Sequence, residues 1–181
     1  MKILEGKYVR LRSPEPEDLE FLYRWENDTD IWQVSNTITP FSRFTLKKYI
    51  ETSHLDIYEN QQLRFMIDTI EDGKTVGTID LFDFDPYHHR AGVGILIGED
   101  AFRGKGLADD ALKVLVRYGF SVLMLHQLYC NIGAHNETSL HLFEKNGFAV
   151  VGEKKEWLRT QDGWTSEFLL QAINQVHPSH P

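Results

Sequence analysis

The sequence predicts an α/β fold: a single domain built on a mixed, mostly antiparallel sheet of about seven strands, with helices on both faces. Three observations lead there. The chain has 181 residues, 41% of them hydrophobic, which is one generous domain with enough apolar matter for a core. Stretches of period-two alternation or continuous β-prone residues are interspersed with stretches of three-to-four spacing. Between residues 93 and 108, an apolar strand passes through a glycine loop into an amphipathic helix.

Composition narrows the function. A net charge of −8 argues against a general nucleic-acid binder; it is compatible with a cationic acceptor but locates no site. The single cysteine, Cys130, excludes an intrachain disulfide and fits a reducing compartment. No apolar run approaches the ~20 residues of a membrane span. The N-terminus has neither a long apolar stretch nor a small-residue cleavage site, so the cytoplasm is the default location. No repeat or low-complexity segment is present.

Taken in order, Tyr8–Arg12 alternates and reads as a first strand. Leu19, Phe21, Leu22 and Trp25 then recur at helical spacing behind Glu15, Glu17 and Asp18, and Asn27–Asp30 stops that helix. Trp32–Phe44 has no clean period and reads as irregular. A second helix is expected from a Thr45 cap to about Tyr58, with Leu46, Tyr49, Ile50 and Leu55 inward. Leu63–Thr69, a turn at Glu71–Lys74, and Val76–Phe84 form a meander that Arg90–Ile97 continues. The helix after residue 106 presents Leu107, Ala111, Leu112, Leu115, Tyr118 and Val122 on one face and ends near Leu123. Gln127–Ile132 is a buried strand, in which Cys130 reads as a packed apolar residue. A short helix follows from Asn136, closed by Asn146-Gly147. Ala149–Arg159 and Trp164–Ile173 form a final hairpin. The domain is expected over 1–175, with 176–181 a frayed tail. The histidines show no zinc spacing, and no metal is expected.

The run Val93–Ala108, VGILIGEDAFRGKGLA, carries the strongest chemical signal. A strand, a glycine loop and a helix start aim backbone N–H groups and a positive helix end at one spot, which suits a phosphate. A P-loop fails, because Gly106 follows Lys105 where a Ser or Thr is needed and five residues separate Gly98 from Gly104. A dinucleotide fingerprint fails because Gly92 and Gly94 lie within a strand and Ile97 takes the third glycine's place. A glycine turn that simply joins strand to helix is the alternative for the loop alone.

Arg103-x-x-Gly106-x-Ala108 resembles the pyrophosphate loop of the GNAT superfamily of N-acetyltransferases. The stretch Asn136-x-x-Ser139-x-x-x-Phe143-x-x-x-Gly147-Phe148 resembles the second half of that family's cofactor site. Two motifs in the right order, about 30 residues apart, are far more specific than either alone. The resemblance spans nearly the whole chain and is strongest to bacterial ribosomal-protein N-terminal acetyltransferases and spermidine acetyltransferases.

The resemblance implies a GNAT-like fold and direct transfer of an acetyl group from acetyl-CoA to an amine. The acceptor would be a protein N-terminal α-amine or a small amine, with polyamine acetylation the alternative within enzymes. A CoA-binding sensor or scaffold without turnover is the rival from another class. Arg103, Gly104, Lys105, Gly106, Leu107 and Ala108 would receive the pyrophosphate. Backbone near Ile95, Leu96 and Ile97 would pair with the pantetheine arm, one N–H polarising the thioester oxygen. Asn136 would hydrogen-bond the pantetheine region. The family's usual proton-donating Tyr falls at Phe143, which cannot donate. In the ribosomal-protein type the matching groups are Ser139 at the thiol and Glu156 as base; a helix hydroxyl and a solvated strand residue are their structural alternatives. Trp32, within the region lining the acceptor side, and Asp83, matching an acidic residue that faces the polyamine, are the expected substrate contacts. Neither nucleic acid nor membrane is an expected partner; a homodimer is compatible with the reading.

Overall fold

Seven strands form one sheet in the order β1-β2-β3-β4-β5-β7-β6. They are β1 (Val9–Arg12), β2 (Leu63–Thr69), β3 (Thr75–Asp85), β4 (Arg90–Ile97), β5 (Gln127–Gly133), β6 (Ala149–Thr160) and β7 (Gly163–Ile173). All neighbours are antiparallel except β4 and β5, which run parallel. The computed structural model describes residues 2–35, 37–53 and 55–175. The tail expected to fray, 176–181, lies outside the described residues. No described helix is long and apolar enough to cross a membrane.

Side-chain alternation on β2 puts a core on each face. Phe65 and Ile67 enter one cluster with Leu112 and Leu115 of the long helix α5 (Leu107–Ser121). Met66 enters the other, with Leu22 and Trp25 of α1 (Leu19–Glu26), Ile31 of α2 (Thr29–Ser35), and Leu46 and Ile50 of α3 (Arg43–Thr52). Helices therefore cover both faces, as the sequence predicts. Three buried carboxylates, Asp18, Asp68 and Asp110, fix the N-terminal strand. Arg12 bridges Asp18 (2.6 Å) and Asp68 (2.7 Å), tying β1 to the start of α1 and to β2. Asp110 of α5 accepts the backbone N–H groups of Lys7, Tyr8 and Val9 at 2.6–3.0 Å.

The early helices depart from expectation. Asn27 does stop α1, by donating to the carbonyls of Tyr23 and Phe41 and accepting from the Phe41 N–H. A new helix, α2, starts at once because Asp28 accepts the N–H of Asp30 (3.0 Å), so the region read as irregular begins inside a helix. The cap of α3 is Ser42, and Thr45 is the residue whose N–H it accepts. Thr52 and Ser53 then return their hydroxyls to the carbonyls of Lys48, Tyr49 and Ile50, ending α3 early. A separate turn, α4 (Ile57–Asn60), starts from an Asp56 cap. Further on, α5 stops at Ser121, leaving Val122 half-exposed rather than on the inner face. The last helix, α6 (Glu137–Lys145), begins after the Asn136 cap.

Candidate active site

The sheet opens at the one parallel junction among the described residues. β4 and β5 pair through Arg90–Gln127, Ala91–Leu128 and Gly92–Tyr129, and there the pairing ends. Beyond it β4 stays with β3 as far as Ile97, while β5 stays with β7 as far as Gly133. Each strand is held along its outer edge, so twist between them separates the inner edges. The fork holds a cavity of about 230 Å³. Gly94, Ile95 and Leu96 line it from β4, Cys130–Gly133 from β5, and Asn136, Ser139 and Phe143 from the α6 segment.

At the mouth of the fork the loop from Arg103 turns into α5. Gly104 (φ 72°) and Gly106 (φ 79°) both sit in the left-handed region, and a Cβ built on either meets nothing within 4 Å. Gly106 caps α5 without a side-chain hydrogen bond, which leaves the first amides of a 15-residue helix free of a side-chain acceptor. Leu107 is buried and anchors the helix start, with Ala108 half-buried beside it. Lys105 is exposed, its ammonium 5.1 Å from the centroid of the Phe102 ring. Arg103 folds back: its Nε donates to the Ile97 carbonyl (3.0 Å), and it pairs with Asp100. The cradle of bare backbone, which a Cβ would fill, fits a coenzyme diphosphate.

Asp109, in the first turn of α5, would repel that anion were it free. Burial opposes its ionisation, but hydrogen bonds from Lys113, Asn146 and Lys145 outweigh this and hold the carboxyl down to about 2. Its folded value lies below the ordinary 3.8, so the stability it contributes is complete above 3.8 and is lost as pH falls through 2. An Asp109→Asn variant is therefore expected to show a flatter loss of thermal midpoint between pH 4 and 2 than the parent, measured by calorimetry across that window.

On the opposite wall, Asn136 Oδ1 accepts the Ser139 N–H (3.1 Å) as the cap of α6, so of its side chain the amide NH2 remains for a ligand in the groove. Ser139 is half-buried and lines the cavity. Phe143 also lines it, 3% exposed and edge-on to Phe148 at 5.0 Å; this wall supplies no proton donor at that position. Burial pushes the Cys130 thiol up to about 12, so it stays protonated at neutral pH and reads as core, not nucleophile.

Four expected residues are placed elsewhere. Ile97 lies at the cavity's edge, outside its lining, with its carbonyl taken by Arg103. Asp83 is exposed, in a left-handed bulge (φ 48°) at the hairpin end of β3, where the Tyr129 hydroxyl donates to it at 3.4 Å. The cavity lies toward the other end of the strand, and the carboxylate lining it is Asp80. Glu156 is exposed and left-handed (φ 49°) within a bulge of β6 between Lys154 and Leu158, and it is Leu158 that reaches the cavity. Trp32 turns its indole N–H onto the Glu26 carbonyl (2.7 Å), while Glu26 and Ile31 line the cavity. Replacing Glu156 with Gln is accordingly expected to leave the pH–rate profile of acetyl transfer unchanged within twofold, as steady-state rates from pH 6 to 9 would check.

The sequence reading missed the ionised wall of the cavity: Glu26, Arg64, Asp80 and Glu167. Arg64 donates twice to Asp80 (2.6 and 3.1 Å) and once to Glu26 (2.6 Å), and the Tyr49 ring lies 5.2 Å away. Burial disfavours its charge, and the two carboxylates more than restore it, so its pKa is raised. Charged residues inside otherwise apolar strands were the available signal.

Comparison with known proteins agrees with this geometry. Residues 9–149 match the Acetyltransferase (GNAT) domain. Spermidine N(1)-acetyltransferase of Escherichia coli (strain K12) is 32% identical over 145 residues, covering 80% of this chain and 75% of that protein. An uncharacterized N-acetyltransferase, p20, of Bacillus licheniformis is 28% identical over 178 residues, covering 98% of this chain and 99% of that protein. Among solved structures, spermidine N-acetyltransferase from Vibrio cholerae in complex with CoA and spermine superposes with a TM-score of 0.82 at 23% identity, covering 91% of this chain and 95% of that one.

Proposed function

Given that the chain belongs to the GNAT acetyltransferase family and is an acetyl-CoA-dependent N-acetyltransferase, we propose that the β4–β5 fork is its transfer site and that a protein N-terminal α-amine or a small amine is the acceptor. The observation that carries this reading is the fork itself, with a glycine cradle at its mouth and a strand edge without a strand partner along Val93–Ile97. Acetyl-CoA brings an acyl carbon already activated as a thioester. The chain's part is to hold and aim it. The amides of Gly104–Ala108 and the positive end of α5 take the diphosphate. The open edge of Ile95–Ile97 takes the arm as an added strand, and an N–H there polarises the acyl oxygen. The Asn136 amide orients the arm from the other wall. Ser139 is the hydroxyl lining the cavity on that wall and serves the departing sulfur in place of the Tyr that Phe143 replaces.

The amine must shed a proton before it attacks, since an aliphatic ammonium is mostly charged at neutral pH. Glu156 is exposed in a bulge of β6, which supports a route for the proton through groups of the cavity wall or through solvent. A second reading, polyamine acetylation, is favoured by the E. coli relative, which is a spermidine acetyltransferase. We also infer a cytoplasmic setting, which suits the lone, free and buried Cys130.

Thiol release from acetyl-CoA, followed across peptides with free N-termini, simple monoamines and spermidine, tests the assignment. Turnover of peptides or monoamines with weak spermidine use supports the first reading, and a clear preference for spermidine supports the second. Tight CoA binding with no thiol release from any of them would overturn both.

A further inference from the structure

Among the described residues, three carboxylates, Glu26, Asp80 and Glu167, line the cavity with Arg64, and a second cation, Lys154, pairs with Glu167 from outside the lining. The two cations are held very differently. Arg64 is gripped by a three-bond fork, with a side chain only 15% exposed. A guanidinium bound this way is a fixed part of the wall. Lys154 is a point charge on a flexible stem, 36% exposed, reaching across from the edge strand β6. Its ammonium sits between the Glu167 carboxylate, Asn131 Oδ1 (3.1 Å) and the Trp157 ring (4.9 Å to the centroid).

That set of partners is a built cation site: a carboxylate on a residue 5% exposed, an amide oxygen and an aromatic face. Glu167 faces the cavity from β7, opposite Gly133 at the end of β5, and so stands beside the fork. Lys154 pairs with it from the far side, in register across the final hairpin. The lysine, itself outside the lining, fills a place shaped for an ammonium against two residues that do line the cavity, Glu167 and Asn131.

We infer that Glu167, with Asn131 and Trp157, is the acceptor's ammonium subsite, and that Lys154 occupies it until a cationic amine displaces it. The inference rests on the reading of the fork as the acetyl-transfer site. The reason is electrostatic. A buried carboxylate needs a cation partner, and of the two internal cations only Lys154 can swing into water without stranding two carboxylates. Lys154 therefore competes with the acceptor, and the strength of its hold on Glu167 sets the apparent acceptor affinity. The substrate class that follows is an aliphatic amine still carrying its positive charge. Neutral aromatic amines gain nothing from this subsite.

A graded series tests the idea because a purely structural ion pair predicts the opposite order. Lys154→Met removes the competitor and is expected to lower the acceptor KM about fivefold with kcat within about twofold, whereas Lys154→Arg, whose fork grips harder, is expected to raise KM. Glu167→Gln is expected to raise KM about tenfold and to erase the benefit of Lys154→Met in the double variant. Spermidine and a serine-led tetrapeptide are the acceptor probes, and binding of each to the CoA-saturated protein, by calorimetry, gives a readout independent of turnover. CoA affinity and the thermal midpoint report folding, so if Glu167→Gln fails to fold, the two Lys154 variants decide alone. An acceptor KM that is unchanged or raised in Lys154→Met, in a protein that binds CoA and acetylates either probe, overturns the subsite. Absence of acetyl transfer to any amine by the parent protein overturns the reading of the fork instead.

Discussion

Replacing Gly106 with valine is expected to cost the protein its coenzyme. Gly106 lies at φ 79° as the cap of α5, with open space where a Cβ would project. That space is where a diphosphate would approach the first amides of the helix. A branched side chain there blocks the approach and strains the backbone, which would swing the amides away. Losing two or three charge-assisted hydrogen bonds amounts to about 3 kcal/mol, so CoA affinity should fall about 100-fold in calorimetric titration. Strain alone would also lower the thermal midpoint, which makes a control necessary. Gly73, in the β2–β3 turn, has φ 66° and equally open surroundings. Gly73→Val should cost about the same 1–3 kcal/mol of stability while leaving CoA affinity intact. Equal loss of CoA affinity in both variants, or in neither, would remove the loop from the binding site.

Asp110→Ala is the second large effect, and it concerns stability. Asp110 is 9% exposed, and its two oxygens accept three backbone N–H groups from residues more than 100 positions away. This contact docks the start of β1 onto α5. Removing the carboxylate leaves three amides unpaired in a site that water reaches poorly, a loss of about 3 kcal/mol. For a domain of this length the thermal midpoint should drop about 9 °C. Amide exchange should speed up first at Lys7–Val9, before the rest of the sheet. Asp110→Asn, which keeps one acceptor oxygen, should fall between the parent and the alanine variant. A midpoint within 2 °C of the parent for Asp110→Ala would show that water replaces the carboxylate without loss.

The strands could be read closely from the chain because they are rich in β-prone apolar residues bounded by turn signals, as in Leu63–Thr69 and Arg90–Ile97. The segments proposed to hold the cofactor were equally legible. Its parts, Arg103–Ala108 and Asn136–Phe143, are contiguous and consist of backbone turns and a helix cap. The acceptor half was not. Asp83 and Glu156 were assigned by matching positions to the family, and both sit in bulges, in β3 between Phe82 and Asp85 and in β6 between Lys154 and Leu158. A bulge resets which side chains share a face, and no local pattern shows where it falls. The helix boundaries between residues 27 and 60 were missed for another reason. Short polar side chains there can cap one helix or end another, and the sequence alone does not say which.

By itself the sequence determined the family, the order of the strands and of the helices after β4, and the glycine loop, because each depends on conformations set within a few residues. The tertiary structure alone decided where the sheet forks and which charges line the fork. The fork exists because β3 holds β4 and β7 holds β5 along their outer edges. The charged wall exists because Glu26 of α1 meets Arg64 and Asp80 of the sheet only when distant segments pack. Pairings across such distances follow from register and burial, which no local pattern encodes.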